Sequence, residues 1–414
     1  MKRLLVINQY FYPDFASTGQ YAFEICKSIA QEGIEVHVVT GQPSYTSSSP
    51  DALPYEILEG LHIYRVPMGK NKGRENFKIR IKTYLRFLFG AWSLCKKLLK
   101  SKKFHYILTF HNPPFVGILG AYFAKKYKIS FFYIPYDIHP DILQVTGWRL
   151  PSFLIWLWNK INSYIFSNSK KIIVISEGMK NVLLEKKKVP PEKIEVIPLW
   201  AQPEIEKTTP NFSIKKELGI DTNELLFLYS GNMGTIYNLD LIIDVACMVR
   251  NLNIKFVFVG DGIKRKHLIS RVMEEGLENN VKFLPYQPED KYVNLLLSSD
   301  ACLVVINPEA EKLAFPSKTF TFLSAGKPII GIMSNDADLA KLINKTECGW
   351  IVNDEKTLFN LIYRIYNYPE EIKEKSKRAN ETYNTYFKKN KILEKYKKIF
   401  TSTAARHHMH TSGV

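Results

Sequence analysis

Three turns in the second half of the chain carry residue types suited to holding a diphosphate. SGNMGTIYN (230–238) offers Gly231, Asn232 and Gly234, a bare backbone that an anion can approach closely. VGDGIKRKHL (259–268) places Gly260 and Gly262 before Lys264, Arg265 and Lys266. FPSKTFTFLSAGKP (315–328) sets Pro316, Ser317 and Lys318 where a helix should begin. The first amides of a helix have no partner inside it, and a lysine at that end is disfavoured by the dipole unless an anion shares the site. Each turn alone reads equally as an ordinary strand–helix connection with a solvated charge. Their recurrence after three strands points to phosphate.

Two turns in the first half could act on the other reactant. PYDIHPD (135–141) brings Asp137, His139 and Asp141 to the end of one apolar strand, and His139 could hold or relay a proton near neutral pH. QYFYPDFASTGQ (9–20) ends in Thr18 and Gly19 at a helix start. There a simple N-cap at Ser17 or Thr18 and a close approach of ligand to Gly19 weigh evenly.

The elements that must position these turns alternate between short apolar strands and amphipathic helices. In the first half, strands are expected at 3–9, 35–40, 62–66, 105–110, 130–136, 171–175 and 195–197. Helices between them are expected near 20–31, 77–100, 115–126, 152–167 and 178–187. PLWAQPEIEKTTP (198–210) reads as a linker. The pattern restarts with strands near 225–229, 255–259, 281–284, 301–306, 328–331 and 350–352, each followed by a helix. This predicts an α/β chain of two doubly wound, Rossmann-like domains facing across a cleft. The expected bounds are 1–200 for the first domain and 201–380 for the second. A C-terminal helix at 381–403 would pack back on the first domain, and 404–414 would be a tail outside the fold.

Composition narrows the partners. The 414 residues carry a net charge of +17, and residues 70–103 hold twelve Lys/Arg against the single acid Glu75. An anionic partner is implied. Within this region FKIRIKTYLRFLFGAWSLCKKLLK (77–100) is basic and apolar at helical spacing. It reads either as a helix packed on the core with a solvated basic face, or as one lying on an anionic membrane. Nucleic acid fits less well, because aliphatic rather than stacking residues accompany the charge. The five cysteines (26, 95, 247, 302, 348) have no metal-ligand spacing and read as free, mostly buried thiols. No segment reads as a signal peptide or a membrane-spanning helix.

The segments VINQYFYPDFASTGQYAFEICKSIAQEGIEVHVVTG, ISEGMKNVL, PPEKIEVIP, YSGNMGTIYNLDLII, FVFVGDGIKRKHL, VKFLPY and FPSKTFTFLSAGKPIIG, in that order, resemble retaining glycosyltransferases of family 4 with the GT-B architecture. The resemblance implies that the second domain binds a nucleotide sugar, with Arg265 and Lys318 neutralising the diphosphate without a metal or other cofactor. It implies that Tyr286 lies near the uracil, that Thr18 and Gly19 face the sugar and phosphate, and that Asp137 and His139 lie near sugar and acceptor. The chain also departs from the pattern. Two glutamates found in many relatives fall here on Leu313 and Thr321, which puts the ribose contact at Thr321 in doubt, and Glu309 or Glu311 stands nearby. Thr235 and Asn238 occupy places that are often basic.

The implied function is transfer of a hexose, glucose by preference, from a UDP-sugar to a lipid-linked polysaccharide acceptor. The implied setting is the cytoplasm, peripheral at the inner face of the plasma membrane. A GT-B sugar-nucleotide epimerase and a non-catalytic membrane-binding module are the alternatives.

Overall fold

The computed structural model describes residues 1–14, 16–44, 51–69, 77–145, 147, 150–202, 205 and 213–408. Residues 70–76 of the basic region, most of the expected linker and the tail beyond His408 lie outside the described residues.

The chain divides into two compact units. The first comprises Met1–Pro140, Leu150–Ile197 and the C-terminal segment from Ile392, and the second comprises Asp141–Arg149 and Pro198–Lys391. The first holds an eight-stranded sheet: β1 (Arg3–Ile7), β2 (Glu35–Gly41), β3 (Tyr55–Leu58), β4 (Leu61–Val66), β5 (Tyr106–Phe110), β6 (Ser130–Ile134), β7 (Lys171–Val174) and β8 (Ile194–Val196). Its order is β3-β4-β2-β1-β5-β6-β7-β8, and every pair is parallel except β3–β4. Strands such as β5 are buried throughout, as a sheet covered on both faces requires.

The hairpin β3–β4 was not foreseen from the sequence. Its signal was present in YEILEGLHIYRV, where Glu59 and Gly60 take φ of 51° and 78°. Positive φ at both central residues is what a tight two-residue hairpin demands.

The second unit holds β9 (Leu225–Ser230), β10 (Ile254–Val259), β11 (Val281–Leu284), β12 (Ala301–Val305), β13 (Ile329–Ile332) and β14 (Gly349–Val352), all parallel. The order β11-β10-β9-β12-β13-β14 reverses direction between β9 and β12. In such sheets ligands bind beyond the carboxyl ends at this reversal.

The C-terminal helix runs from Lys389 to His408, through residues expected to form a tail. Ala404, Ala405 and Arg406 are strong helix formers, which continue a helix already nucleated. The helix is anchored in the first unit, where Tyr396 is fully buried and Phe400 meets Tyr106 edge-on at 5.7 Å. The five thiols are free, four buried and Cys247 half-buried. Among the described residues no helix is long and apolar enough to cross a membrane.

At the amino ends of β2 and β4, Glu35, His37 and His62 bring ligand-type atoms within 4.8 Å of one another. Glu35 is already paired with Arg3 at 2.6 Å and His37 at 2.8 Å, with Lys102 at 3.4 Å. Burial lowers the His37 imidazole to about 4, and it does so against the raising effect of Glu35. Burial also opposes ionisation of Glu35, but the bonds from His37 and Arg3 outweigh it and hold the carboxyl at about 2. A depressed histidine binds its proton in the unfolded chain first, so its stabilising effect is complete above the unfolded value and is lost as pH falls toward 4. Glu35 adds a further loss below its unfolded value. Stability should therefore fall between about pH 6.5 and 4, with His37 contributing about 2–3 kcal/mol. Chemical denaturation of wild type and His37→Asn across this range measures it, and an equal pH slope in both would refute the assignment.

Candidate functional site

The turns singled out in the second unit follow four adjacent strands. Gly231–Gly234 follow β9, Gly260–Lys264 follow β10, Tyr286 follows β11, and Pro316–Lys318 close the loop after β12. Beyond the strand ends the first two loops stay bonded. Gly231 N–H donates to the Val259 carbonyl at 2.9 Å, Met233 N–H to Asp261 at 2.8 Å, and Lys264 N–H to Met233 at 3.0 Å. This packing explains two of the glycines differently from the sequence reading. A Cβ on Gly260 (φ 137°) would stand 2.0 Å from the Gly231 carbonyl oxygen, and one on Gly262 (φ 157°) 2.5 Å from the Met233 backbone. The close approach at Gly262 is made by the neighbouring loop, which fills the space reserved for ligand. Gly231 stays open, since a Cβ there would meet only the Tyr229 hydroxyl at 3.8 Å. Gly234 is buried beside the exposed Asn232 side chain.

Of the basic run 264–266, Lys264 is bound to Asp240 at 2.9 Å, and Lys266 is exposed to solvent. Arg265 begins helix Arg265–Glu274, half-buried, with its Nε buried and unpartnered. Lys318 begins the helix Lys318–Ser324. Its Nζ lies 4.7 Å from the centre of the Tyr292 ring, and the Tyr292 hydroxyl lies beside Ser230 at the end of β9. Burial holds the Lys318 ammonium below the ordinary lysine range. Among the described residues neither Arg265 nor Lys318 forms an ion pair. Two partly desolvated cations without counter-charges make an electrostatic vacancy that an anion would fill.

The helix amides contribute less than expected. The Lys318 helix is seven residues long, Ser317 is its exposed N-cap without a side-chain bond, and Thr319 N–H already donates to the half-buried Pro316 at 3.0 Å. Thr321 is engaged from within the second unit. It is buried, and its hydroxyl donates to the Gln202 carbonyl at 3.0 Å, so its proton is engaged within the unit. Glu311 is buried and accepts from Ser334 N–H at 2.7 Å and from the Ser334 hydroxyl, while Glu309 is exposed. Tyr286 is exposed beyond β11.

In the first unit, Asp137 lies beyond β6 and is joined by a residue the sequence reading missed. His111, buried beyond β5, places Nε2 3.2 Å from Asp137 Oδ2, while its Nδ1 accepts from Tyr136 N–H at 3.4 Å. That pattern puts the imidazole proton on Nε2, facing the carboxylate. His139 stacks on Trp158 at 5.7 Å and lies 6.3 Å from the His111 ring. Asn162 holds the His139 carbonyl at 2.7 Å. These residues line one pocket with Phe115 and Tyr133. The overlooked signal was HNPP directly after an apolar strand, the same logic that drew attention to 135–141.

Thr18 is half-buried, and its hydroxyl accepts from Asn112 Nδ2 at 3.3 Å, which brings it to the loop that carries His111. Gly19 has a packing role. A Cβ there would come within 2.9 Å of Phe11 N, so the glycine lets its helix close on the 10–11 backbone. The helix N-cap is Ala16, without a side-chain bond, in place of Ser17 or Thr18. Gln9, fully buried at the end of β1, has neither side-chain amide atom partnered, a costly state that a polar ligand would relieve.

Residues 18–204 match the family model Glycosyltransferase Family 4, and residues 211–383 match Glycosyl transferases group 1. The chain belongs to glycosyltransferase family 4. This family-4 chain is 24% identical over 378 residues to the probable glycosyltransferase WbjE of Pseudomonas aeruginosa, covering 88% of this chain and 90% of WbjE. It is 23% identical over 335 residues to WcaI of Escherichia coli K12, whose name assigns it to colanic acid biosynthesis, covering 78% and 81%. Its fold is that of Anabaena HepE, solved with UDP-glucose, at TM-score 0.68 and 15% identity over 97% of this chain and 100% of that one. The two units are the two α/β domains of a GT-B glycosyltransferase.

Proposed function

We propose that this glycosyltransferase moves a hexose, glucose by preference, from a UDP-sugar to a lipid-linked glycan with retention of configuration. The observation that carries the donor reading is that Arg265 and Lys318, neither in an ion pair among the described residues, follow β10 and β12, the strands on either side of β9, which leads to the open Gly231 backbone. A leaving diphosphate gains negative charge as the sugar C1–O bond breaks, and two fixed, partly dehydrated cations stabilise that charge more than they stabilise the ground state. They stand where a divalent metal would otherwise do this work, so the proposed chemistry needs no metal or cofactor. HepE with UDP-glucose supports the choice of donor, and WcaI supports polysaccharide assembly.

The acceptor hydroxyl would be oriented near His111 and Asp137, and its proton would pass to the departing phosphate oxygen as the new glycosidic bond forms on the same face. The family-4 likeness supports this retaining path. The basic helix Phe77–Ser101 would hold the enzyme peripherally at an anionic cytoplasmic membrane surface.

A panel of nucleotides and nucleotide sugars tests the donor. UDP and UDP-hexoses should raise Tm, by an amount equivalent to about 2.7 kcal/mol at a hundredfold excess over Kd. UDP-glucose should also be hydrolysed slowly without acceptor. A shift with GDP or ADP sugars but none with UDP would overturn the uridine assignment.

A further inference from the structure

The helices Phe77–Ser101, Gly117–Tyr127 and Ser152–Asn168 form one layer on the sheet of the first unit. Trp92 of the first packs on Tyr122 and Phe123 of the second, at 4.6 and 4.9 Å between ring centres. Phe115, just before the second, packs on Trp158 of the third at 4.4 Å. A Cβ on Gly117 would come within 3.0 Å of Ile165. The three helices precede the parallel strands β5, β6 and β7 and follow β4, β5 and β6. All three therefore begin at the carboxyl edge of the sheet, the edge that carries His111, Asp137 and His139.

This layer contains ten Lys/Arg and no Asp or Glu. Its leading edge is also apolar. On the first helix Ile81, Leu85 and Phe89 recur every fourth residue and are exposed, Phe89 by 75%. Lys82 and Arg86, both exposed, interleave with them. On the third helix Phe153 is 67% and Trp156 62% exposed, with Leu157 beside them. Lys160 Nζ lies 5.7 Å from the Trp156 ring centre. A helix on the core needs a solvated outer face, yet here the solvent face carries Ile81, Leu85 and Phe89 on one helix and Phe153, Trp156 and Leu157 on the other.

We infer that the start of helix 152–168 is a membrane-insertion element, which together with the 81–89 stripe docks this domain on an anionic bilayer. The proposal rests on the reading of the acceptor as lipid-linked and extends it to a second helix, well outside the basic region. Charge selects the occupant. A second copy would set basic layer against basic layer, and a nucleic acid would leave Phe89, Phe153 and Leu157 in water. A bilayer with anionic headgroups accepts both features, with aromatic rings at headgroup depth and lysines reaching the phosphates. The docked edge is the one that carries the proposed acceptor site, so a lipid-linked acceptor would be presented to it without leaving the membrane.

Flotation of the full chain with phosphatidylglycerol–phosphatidylcholine vesicles, against phosphatidylcholine alone, tests this. Wild type should float with the anionic vesicles and be released by high salt. Phe153→Ser/Trp156→Ser should lower the bound fraction about tenfold, and Lys82→Glu/Arg86→Glu at least as much, since each basic residue at such a surface counts for about fivefold. Phe153→Ser/Trp156→Ser and Lys82→Glu alone change exposed residues and should keep the wild-type Tm and its rise with UDP, whereas Arg86→Glu also removes the bond from Arg86 to the Met68 carbonyl at 2.7 Å. Undiminished flotation of the serine variant, equal binding to neutral vesicles, or no flotation of wild type would each overturn the proposal. Loss of the UDP response in wild type with flotation intact would overturn the donor assignment instead and leave the docking surface standing.

Discussion

Arg265→Ala and Lys318→Ala are each expected to lower kcat/KM for the proposed UDP-sugar donor by about 10²–10³-fold, or about 2.7–4 kcal/mol of transition-state stabilisation. Arg265 has a buried Nε with no partner, and Lys318 is held below the usual lysine range by burial. Both features mark cations poised for a counter-charge that the described residues do not supply. Neutralising neighbours should matter far less. Lys264→Ala removes a lysine already bound to Asp240, and Lys266→Ala one in solvent, so each should stay within about threefold of wild type on the scale of surface ion pairs. Arg265→Lys should recover only part of the loss, because a guanidinium grips a diphosphate through a planar fork and an ammonium does not. Steady-state kinetics with UDP-sugar, together with UDP-induced stabilisation, separates these outcomes. A double alanine variant with wild-type turnover would show that the donor diphosphate binds elsewhere.

Asp137→Asn and His111→Ala should lower kcat for transfer by about 10²-fold while leaving stabilisation by UDP unchanged. The two residues are 3.2 Å apart in the first unit, whereas the proposed diphosphate site belongs to the second. If the pair orients the acceptor and the reacting sugar, its loss acts on the chemical step and not on nucleotide affinity. Asn at 137 keeps the volume and one acceptor oxygen but removes the charge that faces His111 Nε2. Its effect therefore reports electrostatics more than packing. Asn162→Ala, which frees the His139 carbonyl, should have a smaller effect on the same readout. An unchanged kcat for Asp137→Asn, or a loss of UDP affinity equal to the loss of kcat, would remove the pair from the proposed chemistry.

Much of this was legible along the chain because the relevant signals are local. Alternation of apolar strands and amphipathic helices needs only a few residues on either side, and thirteen of the fourteen strands were readable in this way. The missing one, β3, is a short antiparallel edge strand whose Tyr55 and Ile57 are exposed, so its pattern is weak, and only Glu59–Gly60 marks it. The turns at 230–238, 259–268 and 315–318 stood out because glycine and lysine after an apolar run are visible without a fold.

Where the expectations moved, the deciding contact was distant. Gly262 and Gly19 looked like ligand-facing glycines, but their space is taken by Met233 and Phe11. Thr321 stands where a glutamate was expected, with its ribose contact in doubt, and its hydroxyl meets Gln202, 119 positions away. His111, one residue past the expected strand 105–110, drew no notice until Asp137, on the neighbouring loop, came within 3.2 Å.

By itself, then, the sequence determined two parallel-sheet domains and the loops at their carboxyl ends, because periodicity and turn chemistry are properties of neighbouring residues. Which members of those loops are available was decided only by the tertiary structure. Asp240 occupies Lys264 and leaves Arg265, Lys318 lies by Tyr292 near the end of β9, and Phe153 and Trp156 are left mostly exposed. Charge pairing and burial are set by residues far apart in the chain, and a one-dimensional pattern contains no term for them.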